Sequence, residues 1–274
     1  VFSSKSVHRR AAGVAAVALA SAVCATTLTA GSAEAIVNGK DSTQRYSFMA
    51  SIAETVVGNG EHGVCGASLI DPQWVLTAAH CVNPDLVKPD GTVRIGSERR
   101  TSGGTVRAIA QIVTHPGYVQ TRTKAPNQND LALIRLDRPV GEQPIRIAER
   151  PGRPGTPTRL LGFGTVVDTP EIPKAVFANR LQELEARRGS EAECAPGFAG
   201  PTRLCTVSRV PDAMACFGDS GGPQIRRGRG GRWELVGTTS GPGNSRPTCV
   251  GGPGLYSSVP AYAGWIRQTI GRNG

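Results

Sequence analysis

The chain has 274 residues, 31 Lys and Arg against 21 Asp and Glu, and a formal net charge of +10. That excess invites a nucleic-acid reading, but the basic residues are scattered singly or in pairs except at 226–232, RRGRGGR, a Gly-rich stretch that reads as a solvated hairpin loop. No aromatic residue interleaves those arginines, so base stacking has no platform there and no nucleic-acid partner is expected.

Lys5, Arg9 and Arg10 make a basic start, residues 11–25 are an Ala/Val/Leu run, and Ala33-Glu34-Ala35 closes it. This is the layout of a secretion signal. The run is Ala-rich and broken by Ser, too weakly apolar for a permanent span of about 20 residues. Residues 1–35 are therefore expected to be a cleaved signal peptide. The protein is expected to be extracellular and off the membrane after processing. A cut after Ala35 would expose Ile36-Val37-Asn38-Gly39 as the new amino terminus, whereas a cut after Ala33 would leave two residues for a second protease.

About 239 residues follow, enough for one large or two small cores. Setting aside the leader's three basic and one acidic residue leaves 28 against 20, a net charge of +8. Six cysteines remain, Cys65, Cys81, Cys194, Cys205, Cys216 and Cys249, with no C-x-x-C pair. Behind an export signal an even count predicts three disulfides, and sequence alone permits about 15 pairings.

The apolar segments are short and bounded by turn residues: 74–76, 93–95, 131–136, 160–163, 235–239 and 255–259. With 35 Gly and 20 Pro as punctuation, they predict an all-β chain. Residues 181–188 also have helical propensity. The Pro/Gly-rich stretch 149–157 reads as a connector between two halves. After Pro260, Tyr262, Trp265, Ile266 and Thr269 recur at helical spacing, which predicts a C-terminal helix with one apolar stripe.

Residues 218–223, GDSGGP, set the Ser220 hydroxyl among residues too small to hide it. The stretch could be a tight turn, and it also satisfies G-x-S-x-G, the nucleophile elbow of α/β-hydrolases. A serine alcohol needs a base to take its proton, and an elbow enzyme supplies it from a histidine after the serine. The four histidines, His8, His62, His80 and His115, all precede Ser220. Subtilisin order would require an acid before His80, such as Asp41 or Asp71, on a helix-rich scaffold that the composition does not support.

Thr77-Ala78-Ala79-His80-Cys81, Asn129-Asp130-Leu131-Ala132-Leu133-Ile134 and the GDSGGP segment resemble, in order and spacing, the three signature segments of the chymotrypsin/trypsin family of serine proteases. The likeness is to a secreted, bacterial-type member. It implies two six-stranded antiparallel β-barrels, about 36–150 and 151–274, with a C-terminal helix, and it makes 181–188 a strand. It also implies a Ser-His-Asp acyl-enzyme mechanism in which Asp130 orients His80, His80 takes the Ser220 proton, and the N–H groups of Gly218 and Ser220 bind the oxyanion. The pairings implied are Cys65–Cys81, Cys194–Cys205 and Cys216–Cys249. The ammonium of a freed Ile36 would pair with Asp219.

In the same likeness Met214 occupies the floor of the specificity pocket, where trypsin-like members carry Asp, and Ala215 and Gly254 line the rest. A thioether floor implies cleavage after medium apolar side chains such as Leu, Met or Phe. Ser240-Gly241-Pro242-Gly243 stand where the family has Ser-Trp-Gly. Loss of that Trp wall, and of an N–H at Pro242, implies weak binding of extended substrates. Phe163 and Asn38 depart from a common Trp and a common Gly. No cofactor and no metal are implied, since metal-binding members use two acids in a first-barrel loop and residues 96–105 hold only Glu98. The expected partners are protein or peptide substrates and proteinaceous inhibitors, the enzyme being a monomer. Two alternatives use the same residues: a binding protein on a catalytically weak protease scaffold, and an esterase.

Overall fold

The structure is a computed structural model, and it describes residues 1–4, 36–121, 125–169 and 171–273. The expected leader and its cut fall almost wholly on residues 5–35, outside the described residues. Everything below concerns the compact unit Ser32–Gly274.

The short apolar segments become strands of two closed barrels. The first is formed by β2 (Met49–Val56), β3 (His62–Asp71), β4 (Trp74–Thr77), β5 (Val87–Ile95), β6 (Thr105–Thr114) and β7 (Ala132–Leu136), hydrogen-bonded in the cyclic order β2-β3-β4-β7-β6-β5. The second comprises β9 (Pro157–Gly162), β10 (Gln182–Arg188), β11 (Arg203–Ser208), β12 (Pro223–Arg227), β13 (Trp233–Pro242) and β14 (Gly254–Ser258). It closes because β9 pairs with both β10 and β12. Two strands from the first half join this second sheet: β1 (Lys40–Asp41) lies antiparallel to β10, and β8 (Arg146–Ile147) runs parallel to β13. Closure leaves no bare edge on either core. Ile52, Leu69, Leu76, Ile95, Leu133 and Ile134 fill the first barrel, all of them buried.

β10 shows why helical propensity lost at 182–188. Leu184 and Ala186 point into the second core, while Glu183 and Glu185 meet Arg159 of β9. Glu183 is wholly buried, with Arg159 at 3.1 Å, Lys40 at 3.5 Å and the Tyr46 hydroxyl donating at 3.1 Å. A carboxylate removed from water needs such partners, and only the strand register supplies them. The arginine-rich segment forms the β12–β13 hairpin, where Gly230 and Gly231 take positive φ. Arg227 stacks on Trp233 at 3.7 Å and Arg159 lies 5.2 Å from the same ring, so both cations use the indole internally. The helix α1 (Ala263–Asn273) follows a 3-10 turn over Val259–Tyr262. It buries Ile266 and Thr269, and Trp265 and Tyr262 hold the His115 ring edge-on at 4.9 and 5.2 Å.

Candidate active site

The two barrels meet where GDSGGP crosses the β3–β4 corner. The Gly66 N–H donates to the Ser220 carbonyl at 2.7 Å, and the Thr77 hydroxyl donates to the Gly66 carbonyl at 2.8 Å. A Cβ on Gly221, whose φ is +76°, would lie 2.2 Å from Thr77 Oγ1 and 2.3 Å from Gly66 O, so only glycine permits this approach. Thr77 ends β4, and the next turn carries His80. The Cys65–Cys81 disulfide ties that turn to β3.

Asp130 enters from the start of β7. Asn129 before it sits at φ +48°, held by its amide donating to Gly117 O at 2.7 Å and its carbonyl accepting from the Tyr262 hydroxyl at 3.0 Å. The Asp130 carboxylate, 1% exposed, accepts from the His80 backbone N–H at 2.9 Å and the Ser240 hydroxyl at 2.6 Å, and it bonds His80 Nδ1 at 2.7 Å. Burial pushes its pKa up, but the charge and hydrogen bonds of His80, aided by Ser240, more than offset this, and the net shift is downward. For His80, burial pulls the imidazole down while the Asp130 charge and hydrogen bond, with Glu54 behind them, push it up, and the net shift is upward. The arrangement fixes Nδ1 as the protonated nitrogen and leaves Nε2 for a proton in the cavity.

Ser220 lies on the wall of the same cavity of about 460 Å³ as His80. Its hydroxyl makes no hydrogen bond among the described residues, to His80 or to any other side chain. A nucleophile–base bond that tightens only with substrate bound is ordinary for an empty site. The backbone N–H groups of Gly218 and Ser220 likewise have no acceptor among the described residues. Gly218 has φ +89°, and a Cβ there would strike the Phe177 ring at 2.8 Å.

The sequence-predicted pocket residues all line the cavity: Met214, Ala215, Ser240, Gly241, Pro242 and Gly254. Met214 is both core and wall. It is 2% exposed, clusters with Ile36, Leu160 and Tyr256, and its Sδ lies 3.1 Å from where a Cβ on Gly254 would stand. β13 runs through Pro242, with Gly241 opposite Leu255 and Pro242 opposite Gly254. A Cβ on Gly241 would meet nothing within 4 Å, so the strand end is open on that side. Disulfides join Cys194 to Cys205 and Cys216 to Cys249, the last pair lying in the cavity wall. The two metal-like groupings among the described residues, Cys65-His80-Cys81 and Asp168-Cys216-Cys249, draw on these disulfide sulfurs, which are not thiolates.

Ile36 is wholly buried beside Met214, in the uncut backbone, at φ +61°. For a β-branched residue that torsion is strained by about 1–2 kcal/mol. Asp219 is 1% exposed and, among the described residues, accepts only from the Gly164 and Cys216 N–H groups, each at 2.9 Å, with no cation beside it. Burial pushes its pKa up to about 7 despite those two bonds. Its charge also acts on the Tyr256 phenol, a member of the cluster that holds Ile36.

Two features had no signal in the motifs. Ser240, read as pocket wall, is also the third donor to Asp130. Glu54, remote from every signature segment, lines the cavity with His80.

The family model described as Trypsin matches residues 36–266. Human kallikrein-14 is 32% identical over 225 residues, covering 80% of this chain and 78% of that protein. Trypsin of Sarcophaga bullata is 32% identical over 248 residues, covering 85% and 88%. Among solved structures, neuropsin of mouse brain superposes with a TM-score of 0.69 at 27% identity, covering 86% of this chain and all of that one. With both barrels, the three disulfides and these relatives in agreement, the chain belongs to the trypsin family of chymotrypsin-like serine proteases and is a serine endopeptidase.

Proposed function

We propose that Ser220 is the nucleophile, His80 the general base and then acid, and Asp130 the group that holds His80 in its working tautomer. The observation that carries this reading is that His80, bonded to Asp130 at 2.7 Å behind it, lines one cavity with Ser220 and Gly218, whose backbone N–H groups are unengaged among the described residues. Ser220 Oγ attacks the scissile carbonyl while His80 Nε2 removes its proton. The carbonyl oxygen gains charge against the two N–H groups, and His80 returns the proton to the departing amine. One such donor is worth about 3–4 kcal/mol of barrier. Water then repeats the sequence on the acyl-enzyme.

The acyl-side pocket takes medium apolar residues, Leu or Met before Phe, because Met214 fills its base and, among the described residues, the one carboxylate lining the cavity is Glu54 of the first barrel. Arg246 on the cavity wall further disfavours a basic side chain. The enzyme acts outside the cell as a monomer on protein substrates and is open to proteinaceous inhibitors. Its leader is removed after Ala35, which turns the buried Ile36 into an ammonium terminus for Asp219 and deletes the strained torsion in one step. The test is a peptide library cut by the chain beginning at Ile36, with Ser220→Ala as blank. Cleavage after Leu and Met is expected; cleavage mainly after Arg or Lys overturns the pocket reading.

A further inference from the structure

Glu54 is a buried acid with no visible employer. It sits on β2 opposite Gly63 of β3, where a Cβ would come within 3.3 Å of its Cγ and Oε1, so the missing side chain at 63 makes room for the carboxyl. The residue is 7% exposed. Among the described residues its Oε2 has no hydrogen-bond partner, and its Oε1 has only Cys65 Sγ at 3.7 Å, a disulfide sulfur with no proton to give. Among the described residues no cation pairs with it. A carboxyl so placed is costly unless something satisfies it, and burial accordingly pushes its pKa up to about 7.

Its location says what that something is. Glu54 lines the cavity together with Val56, Gly63, Leu86 and Val87, all first-barrel residues beyond His80, while Met214, Gly254 and Arg246 come from the second barrel. If Ser220 attacks a carbonyl whose own side chain lies by Met214, the leaving amine and its residue pass His80 toward Glu54. This step rests on the acyl-enzyme reading above. We infer that Glu54 selects a basic residue, Arg or Lys, directly after the scissile bond, its carboxylate receiving the cationic head. Val56, Leu86 and Val87 offer apolar surface to the methylene stem of such a side chain. The cavity wall thus carries a cation, Arg246, from the second barrel and an acid, Glu54, from the first, and this asymmetry also gives a bound peptide a direction.

Partitioning of the acyl-enzyme tests this on the processed protein. A Leu ester acylates Ser220 and releases alcohol; added argininamide or alaninamide then competes with water, its amine forming the new peptide bond as Ser220 Oγ leaves and recovers a proton. Argininamide is expected to capture the acyl group about tenfold better than alaninamide at pH 8, and Glu54→Gln to reduce that ratio to about twofold or less, the scale of one charge-assisted hydrogen bond. The ratio is read only on molecules that acylate, so partial misfolding of the variant does not enter it. In the parent alone, argininamide should outcompete the isosteric, uncharged citrullinamide. Equal capture of those two overturns the inference, as does a ratio that survives Glu54→Gln. Absence of alcohol release overturns the acyl-enzyme reading and this inference with it, and the alcohol signal tells the two failures apart.

Discussion

Asp219 offers the sharpest thermodynamic prediction. A carboxyl held at about 7 in the fold against its ordinary 3.8 costs about 4 kcal/mol of stability once the pH exceeds 7. The sign follows from proton binding: the folded state binds the proton more tightly, so the penalty is absent below pH 3.8, grows as the pH rises to about 7, and is complete above it. Asp219→Asn removes the charge but turns one amide N–H toward a backbone donor, a loss of about 1–2 kcal/mol. In a chain retaining Glu34-Ala35, with Ser220→Ala to prevent autolysis, the substitution should therefore stabilise by about 2–3 kcal/mol at pH 8 and by nearly nothing at pH 5. In the chain beginning at Ile36 the sign should reverse, because the ammonium would lose its partner, at a cost of about 3–5 kcal/mol. Urea unfolding of the four proteins at both pH values measures all of this. Equal effects of Asp219→Asn in the two chain forms would refute the pairing of Ile36 with Asp219.

Other outcomes follow from named contacts. Ser240→Ala removes a 2.6 Å donor to the buried Asp130, and kcat/KM on a Leu ester should fall about tenfold, with a loss of about 1–2 kcal/mol in unfolding. Activity requires neutral His80, whose pKa lies above 6.5, so kcat/KM should decline on acidification with a midpoint above pH 6.5. Because Glu54 contributes to that rise, Glu54→Gln should move the midpoint down, and an upward move would contradict the arrangement. Replacing both Cys216 and Cys249 by Ser opens a crosslink spanning 33 residues and should destabilise by about 4 kcal/mol in chain-entropy terms, seen in the urea midpoint.

The β architecture and the helix were legible because they rest on local periodicity: short apolar runs between turn residues, and Ile266 and Thr269 on one face after Pro260. Residues 182–188 were legible as a strand only through the family resemblance, since their propensity is helical and the strand wins through contacts far away in sequence, Arg159 and Lys40 on Glu183. The same holds within the site. Signature segments point to His80, Asp130 and Ser220, but the hydroxyl of Ser240 reaching Asp130 across 110 positions depends on how two barrels abut. Glu54 is the extreme case: its burial beside the cavity comes from a bulge in the β2–β5 pairing and from Gly63 opposite, neither of which marks a single glutamate in a string of letters.

Whether Ser220 forms an acyl-type bond under the control of His80 is best settled by mass spectrometry of the chain beginning at Ile36 after treatment with a fluorophosphonate at pH 8. One phosphonyl group on the peptide containing Ser220, absent in Ser220→Ala and strongly slowed in His80→Ala, is the expected result. A stoichiometric adduct on another residue, or full labelling of either variant, would contradict it.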